Sequence, residues 1–228
     1  MHNILSKYDT LLFDIDDTIL DFQKSERKAM RIALGTVGLE VTDDILNHYH
    51  QVNVKYWQMV EKNIINNQEV LYLRHQEFLP LYGIDYDPKE FEKLYRSNLN
   101  KLAYVKKNAR KVLEQLVKTH RVYAITNGAI KTQKDRMKKS KMQQYFIKSY
   151  ISYELGVGKP DIRFFNIVKN DIENFDEKKT LIIGDSLTSD IKLGNNANVD
   201  TCWLNEHNKV NNTDIKPTYE IKSLLELL

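Results

Sequence analysis

The sequence has little with which to cross-link, export or anchor itself. A single cysteine, Cys202, stands among 228 residues, so no internal disulfide can form. That usage fits a reducing compartment. Cys202 lies within an apolar run and reads as a buried, inert thiol. The opening stretch MHNILSKYDT lacks a charged segment followed by a long apolar one, so no signal peptide is expected. No run approaches the roughly 18 apolar residues of a membrane helix. A soluble cytoplasmic protein is expected, with no membrane partner. Charge of one sign is also lacking. Lys and Arg number 34, Asp and Glu 31, and the net charge of +3 falls short of a dedicated nucleic-acid binder.

What is present is a core-forming composition, 42% hydrophobic, long enough for one sizeable domain or a domain with an insertion. Residues 10–14 (TLLFD) read as a buried strand. From about Phe22 to Leu102 the texture is helical. Ile45, Tyr49, Val52, Tyr56 and Val60 recur every three or four positions and form one stripe. Asp87 and Pro88 make a helix start, followed by an apolar face at Phe91, Leu94, Tyr95 and Leu102. This stretch predicts a bundle of about four helices.

After Val105, helices alternate with strands at 121–128, 149–152, 180–185 and 201–205. That alternation predicts a parallel sheet covered on both faces. The first strand completes the sheet, so the helical stretch is an insertion. The expected architecture is α/β, a Rossmann-like parallel sheet core of residues 1–18 and 105–228 with an inserted all-helical domain, 19–104. The basic run KTQKDRMKKSK (131–141) reads as a solvated helix face with Ile130, Lys134 and Met137 along its inner edge. It has no interleaved aromatics for nucleic acid to stack on. NEHNKVNNTD (205–214) reads as a surface loop.

The chemistry lies at the strand ends, where parallel α/β sheets place their sites. LLFDIDDTIL drives an apolar strand into Asp14, Asp16 and Asp17. Like charges so close repel, and a carboxylate buried without a partner is costly. The other polar groups are Thr126-Asn127-Gly128, Gly158-Lys159-Pro160-Asp161 and Gly184-Asp185, followed by Ser186, Ser189 and Asp190. A hard divalent cation makes such carboxylates tolerable, and Mg²⁺ takes oxygen ligands and substrate phosphate. Asp14 and Asp185 are the candidate carboxylate ligands. Asp14 is also the candidate nucleophile. Asp16 is the candidate general acid and base, provided the chain turns after the strand. The Thr126 hydroxyl, the Asn127 and Gly128 backbone N–H groups and the Lys159 ammonium suit the oxygens of a phosphomonoester.

DIDDT, TNG, GVGKPD and GDSLTSD resemble, in order, the four motifs of the haloacid dehalogenase-like (HAD) hydrolase superfamily. The helical insertion after the first motif resembles that superfamily's cap. The second acid of DIDDT points to its phosphatase branch, since the dehalogenases lack it and the ATPases carry Thr there. TLLFDIDDTILDF, VNVKYW, ELGVGKP and TCWLN further resemble the YjjG-type pyrimidine 5′-nucleotidases, nearly end to end. The resemblance implies Mg²⁺-dependent hydrolysis of nucleoside monophosphates, with Asp14 as nucleophile and Asp16 as acid and base. It implies that Thr126, Asn127 and Lys159 hold phosphate. Asp14, the Asp16 backbone carbonyl and Asp185 would hold the metal, with Asp190 supporting the metal shell or Lys159.

The same core motifs also serve sugar-phosphate phosphatases and phosphomutases. A non-enzymatic phospho-acceptor of the receiver type shares strand-end acids, but is about half as long and has no such insertion. Substrate choice is expected of the insertion, which carries Tyr49, Tyr56, Trp57 and Tyr72. Asn53 and Trp57 stand four apart on one helix face. With Arg74, they are the candidate contacts to a pyrimidine base.

Overall fold

The computed structural model describes residues 4–228. It divides into two compact units. One comprises residues up to Asp21 with Val105–Ile130 and Ser140–Leu228; the other comprises Phe22–Tyr104 and Lys131–Lys139.

The first unit is built on a six-stranded parallel sheet. Its strands are β1 (Thr10–Asp14), β2 (Arg121–Thr126), β3 (Ser149–Ile151), β4 (Thr180–Gly184), β5 (Asp200–Leu204) and β6 (Tyr219–Ile221), in the order β3-β2-β1-β4-β5-β6. β1 is central and buried at every position, which is why TLLFD reads as a continuous apolar run rather than an alternating one. Asp14 pairs with Ile125 and Phe13 with Ile183, so β1, β2 and β4 end together and present their carboxyl ends on one edge. On one face, Leu12, Ile125 and Ile182 pack against Phe164, Phe165 and Val168 of the helix Ile162–Asp171 and Leu193 of the helix Lys192–Ala197. β6 has no counterpart in the sequence reading, because Tyr219-Glu220-Ile221 carries an exposed Glu at its centre and forms no apolar run.

The second unit is helical: α1 (Phe22–Thr36), α2 (Asp43–Glu61), α3 (Val70–Phe78) and α4 (Pro88–Leu99). Thr42 caps α2, and Asp87 caps α4 by accepting from the Lys89 and Glu90 N–H groups, with Pro88 in the first turn. The core joins Met30 and Leu34 to Tyr49, Phe78, Phe91 and Tyr95. The Tyr49 ring stacks on His75 at 5.7 Å and meets Phe78 edge-on at 5.2 Å.

The helix Ile130–Ser140 contributes residues 131–139 to this unit. Its buried side is Thr132, Gln133, Arg136 and Met137, whereas Lys134, expected on the inner edge, is exposed. Arg136 is fully buried with its guanidinium 5.3 Å from the Phe22 ring centre. A search for apolar spacing passes over such a face because its buried members are mostly polar. Among the described residues, no helix is long and apolar enough to cross a membrane.

Candidate active site

β1 delivers Asp14 at its last position, buried. The chain then turns at once. The Ile19 and Leu20 N–H groups both donate to the Ile15 carbonyl, at 2.9 and 2.8 Å, and the Asp17 N–H donates to the Leu20 carbonyl at 2.7 Å. Asp17 takes the left-handed conformation, φ 61°, which Asp tolerates better than most residues. On a continuing strand Asp16 would share a face with Asp14 but sit about 7 Å farther along it; the turn ends that regular spacing.

Lys159 is 3% exposed and lies against the same strand end. Its ammonium donates to Asp14 Oδ1 at 2.6 Å, Asp190 Oδ1 at 2.7 Å and the Ile125 carbonyl at 3.1 Å. All three ammonium protons therefore have acceptors. The second carboxylate oxygen of Asp190 accepts from the Ser186 N–H at 3.2 Å. Gly184 is required beside it, because a Cβ there would collide with the Asp190 carboxylate.

Oxygens of Asp14, Asp185 and Asp190 lie within 4.8 Å of one another. Three carboxylates against one ammonium leave a surplus of negative charge. Burial drives the Asp14 carboxyl upward; Lys159 opposes the shift, while Asp190 and Asp16 add to it. Asp185 is pushed well above the carboxylate range by its enclosure, then by Asp14, Asp17 and Asp190. Burial disfavours the charged form of Lys159, but Asp14 and Asp190 outweigh it and hold the ammonium protonated. A site that strains to keep its carboxylates ionised, with hard oxygen donors converging, fits a divalent cation such as Mg²⁺.

After β2, the Thr126 hydroxyl oxygen accepts from the Gly128 N–H at 3.1 Å. The Gly128 N–H, expected as a phosphate donor, is thus engaged locally. Asn127 is tied to Lys159 rather than turned outward. Its Nδ2 donates to the Lys159 carbonyl at 2.8 Å and its Oδ1 accepts from the Lys159 N–H at 2.9 Å. Gly158 makes this approach possible, since a Cβ there would stand 2.5 Å from Asn127 Oδ1.

Within the helical unit, Asn53 and Arg74 meet one another. Arg74 donates to Asn53 Oδ1 at 2.6 Å and to Glu92 Oε2 at 2.8 Å, while Asn53 Nδ2 donates to Glu26 Oε1 at 2.6 Å. His50 and His75 complete the network, on Glu26 and Glu92, each at 2.6 Å. Asn53 and Arg74 are buried, whereas Trp57, one turn along α2, is half-exposed. The sequence reading assigned nothing to Glu26, Glu92 or His75. Single polar residues at core positions of an amphipathic helix carry no local signal.

The haloacid dehalogenase-like hydrolase family model matches residues 11–204. The chain belongs to the haloacid dehalogenase-like hydrolases. It is therefore an enzyme, and the matched span holds Asp14, Thr126, Lys159, Asp185 and Asp190. Within this family the chain is 35% identical to the pyrimidine 5′-nucleotidase PynA of Streptococcus pneumoniae, over 97% of this chain and 94% of that protein. It is 27% identical to the pyrimidine 5′-nucleotidase YjjG of Escherichia coli, over 97% and 96%. The magnesium-bound crystal structure of HAD-hydrolase YfnB from Bacillus subtilis superposes with a TM-score of 0.92, at 38% identity over 96% of each chain.

Proposed function

We propose that this enzyme is a Mg²⁺-dependent 5′-nucleotidase that hydrolyses pyrimidine nucleoside monophosphates through a phosphoaspartate on Asp14. The observation that carries the reading is the bridge from Lys159 to both Asp14 and Asp190 beside Asp185. It supports the reading by bringing the Asp14 carboxylate, a fixed ammonium and two further carboxylates together at one edge of the sheet. The likeness to two pyrimidine 5′-nucleotidases over nearly the whole chain supports the choice of substrate.

A carboxylate oxygen of Asp14 attacks phosphorus as the ester P–O bond breaks. Asp16 gives its proton to the departing nucleoside oxygen. A water molecule then loses a proton to Asp16 and attacks the same phosphorus. The bond to Asp14 breaks, phosphate leaves, and both acids return to their starting forms. Asp14, the Asp16 backbone carbonyl and Asp185 would hold Mg²⁺, which when bound offsets charge on the phosphate and the carboxylates. Lys159 lies against Asp14 and neutralises charge on the transferred group. The Thr126 hydroxyl and the Asn127 backbone N–H donate to phosphate oxygens, while the Asn127 side chain fixes Lys159. Asp190 supports both Lys159 and the metal shell.

In this reading residues 19–104 act as the cap and set the leaving group. The Trp57 ring gives the base a flat neighbour. Asn53 and Arg74 act as positioning residues, since their polar ends are engaged with each other and with Glu26 and Glu92.

The test is phosphate release from dUMP, dTMP and UMP against a panel of sugar phosphates, with and without Mg²⁺. A preference for pyrimidine nucleotides that vanishes in Asp14→Asn is expected. A preference for sugar phosphates would overturn the nucleotidase reading and leave a phosphatase.

A further inference from the structure

Trp203 lies in β5 and is 2% exposed. Its indole Nε1–H donates to the backbone carbonyl of Asp185 at 2.9 Å. A buried indole N–H needs an acceptor, and most carbonyls in a sheet are committed to the ladder. The β4–β5 pairing ends at Gly184 opposite Trp203. The indole reaches one residue beyond it, to the first carbonyl outside the strand.

That carbonyl is half of a peptide group whose other half is also held. The Asp185–Ser186 peptide presents its C=O to Trp203 and its N–H to Asp190 Oδ2, at 3.2 Å. A planar unit bonded at both edges cannot rotate, so the backbone dihedral ψ of Asp185 is fixed. The Cα–Cβ bond of Asp185 leaves from that backbone, so the direction in which its side chain sets out is held with it. One of the two clamps, Asp190, belongs to the acidic cluster itself. The other comes from a neighbouring strand and carries no charge.

We propose that Trp203 is a positioning residue for the divalent-cation site, aiming the Asp185 carboxylate by locking the Asp185–Ser186 peptide plane. The inference rests on the metal assignment of the proposed function. Partners that orient a ligand typically change metal affinity by about 10–100-fold when removed. Trp203→Phe deletes the N–H and keeps an aromatic ring in the core. Leu204→Ala, also in β5, disturbs packing and leaves the indole bond in place.

Calorimetric titration of the full chain with MgCl₂, without substrate, is the test. About tenfold or greater weakening of Mg²⁺ binding is expected in Trp203→Phe, with affinity close to wild type in Leu204→Ala. Equal affinity in wild type and Trp203→Phe would overturn the inference alone. A wild-type protein that binds no Mg²⁺ would overturn the metal assignment and this inference with it. Equal weakening in both variants would reduce Trp203 to a packing residue and overturn it too. Should Trp203→Phe fail to fold, Trp57→Phe leaves Trp203 as the sole indole. Its fluorescence should shift on adding MgCl₂, and an unchanged spectrum would refute the coupling.

Discussion

Asn127 and Lys159 hold each other by two hydrogen bonds, the side-chain amide of one against the backbone N–H and C=O of the other. The motif after β2 therefore fixes the loop that carries the ammonium. Asn127→Ala should leave both Lys159 backbone groups unsatisfied, at about 1–3 kcal/mol for each one kept from water. Asn127→Asp should restore the acceptor but not the donor. We expect kcat on nucleotide to fall in both, more steeply in Asn127→Ala. Unchanged kinetics in Asn127→Ala would show that Lys159 needs no such support.

Asp14→Asn should abolish turnover and leave the fold intact, because a neutral amide is a poor nucleophile and a weaker metal ligand. Asp16→Asn removes proton transfer only, a contribution of about 10²–10⁴-fold. Phosphate-release assays beside circular dichroism would check both. Near-normal turnover in Asp14→Asn would exclude the covalent route.

Chelation should stop the reaction, and adding Mg²⁺ should raise the melting temperature by relieving repulsion among Asp14, Asp185 and Asp190. A ligand at 100 times its Kd stabilises by about 2.7 kcal/mol. The rise should shrink in Asp185→Asn. Ca²⁺ should inhibit, since its larger and looser shell alters the attack geometry. Full activity in EDTA would remove the metal from the mechanism.

Acid should weaken the protein in two stages. Burial holds His75 neutral down to a pKa of about 4, against 6.5 in the unfolded chain. Between those values only the unfolded state takes up the proton, so stability falls as pH drops through them. Although burial opposes its charge, Glu92 is held down to about 2, against 4.5, by Arg74, His75 and Arg96. Its contribution is present above 4.5 and is lost as pH falls toward 2. The slope for one proton approaches about 1.4 kcal/mol per pH unit. Denaturant titrations from pH 7 to 4 would read the first stage. His75→Phe should flatten it.

Trp57→Ala should impair dUMP hydrolysis and spare p-nitrophenyl phosphate, which has no base to stack. Asn53→Ala should lower stability as well, because Glu26 and Arg74 each lose a buried partner. Equal loss on both substrates in Trp57→Ala would remove the ring from substrate choice.

The sheet was legible because β1, β2 and β4 are buried on both faces and read as apolar runs, each ending in a polar group. That Asp14, Lys159, Asp185 and Asp190 come together followed from where those runs stop. What escaped notice is made by distant polar pairs. Nothing in TNG says that the Asn127 amide engages a peptide 32 residues away, and nothing in TCWLN says that Trp203 bonds beyond β4. Asn53 and Arg74 were picked out by residue type, which does not distinguish an exposed amide from one enclosed with Glu26. The basic run at 131–141 is a helix with an exposed lysine face, but charge alone did not show that Arg136, rather than Lys134, lies on its inner edge.

The sheet order also fixes when the enzyme can first work. β1 is made before its partners β2 and β4, which are residues 121–126 and 180–184. At about 5–20 residues per second, Asp14 waits many seconds for a complete strand environment. The helical core, drawn from residues 22–102, is made within that interval. Closing so long a loop costs entropy before any pairing offsets it. The strand that carries Asp14 is thus made before the helical core and enclosed after it.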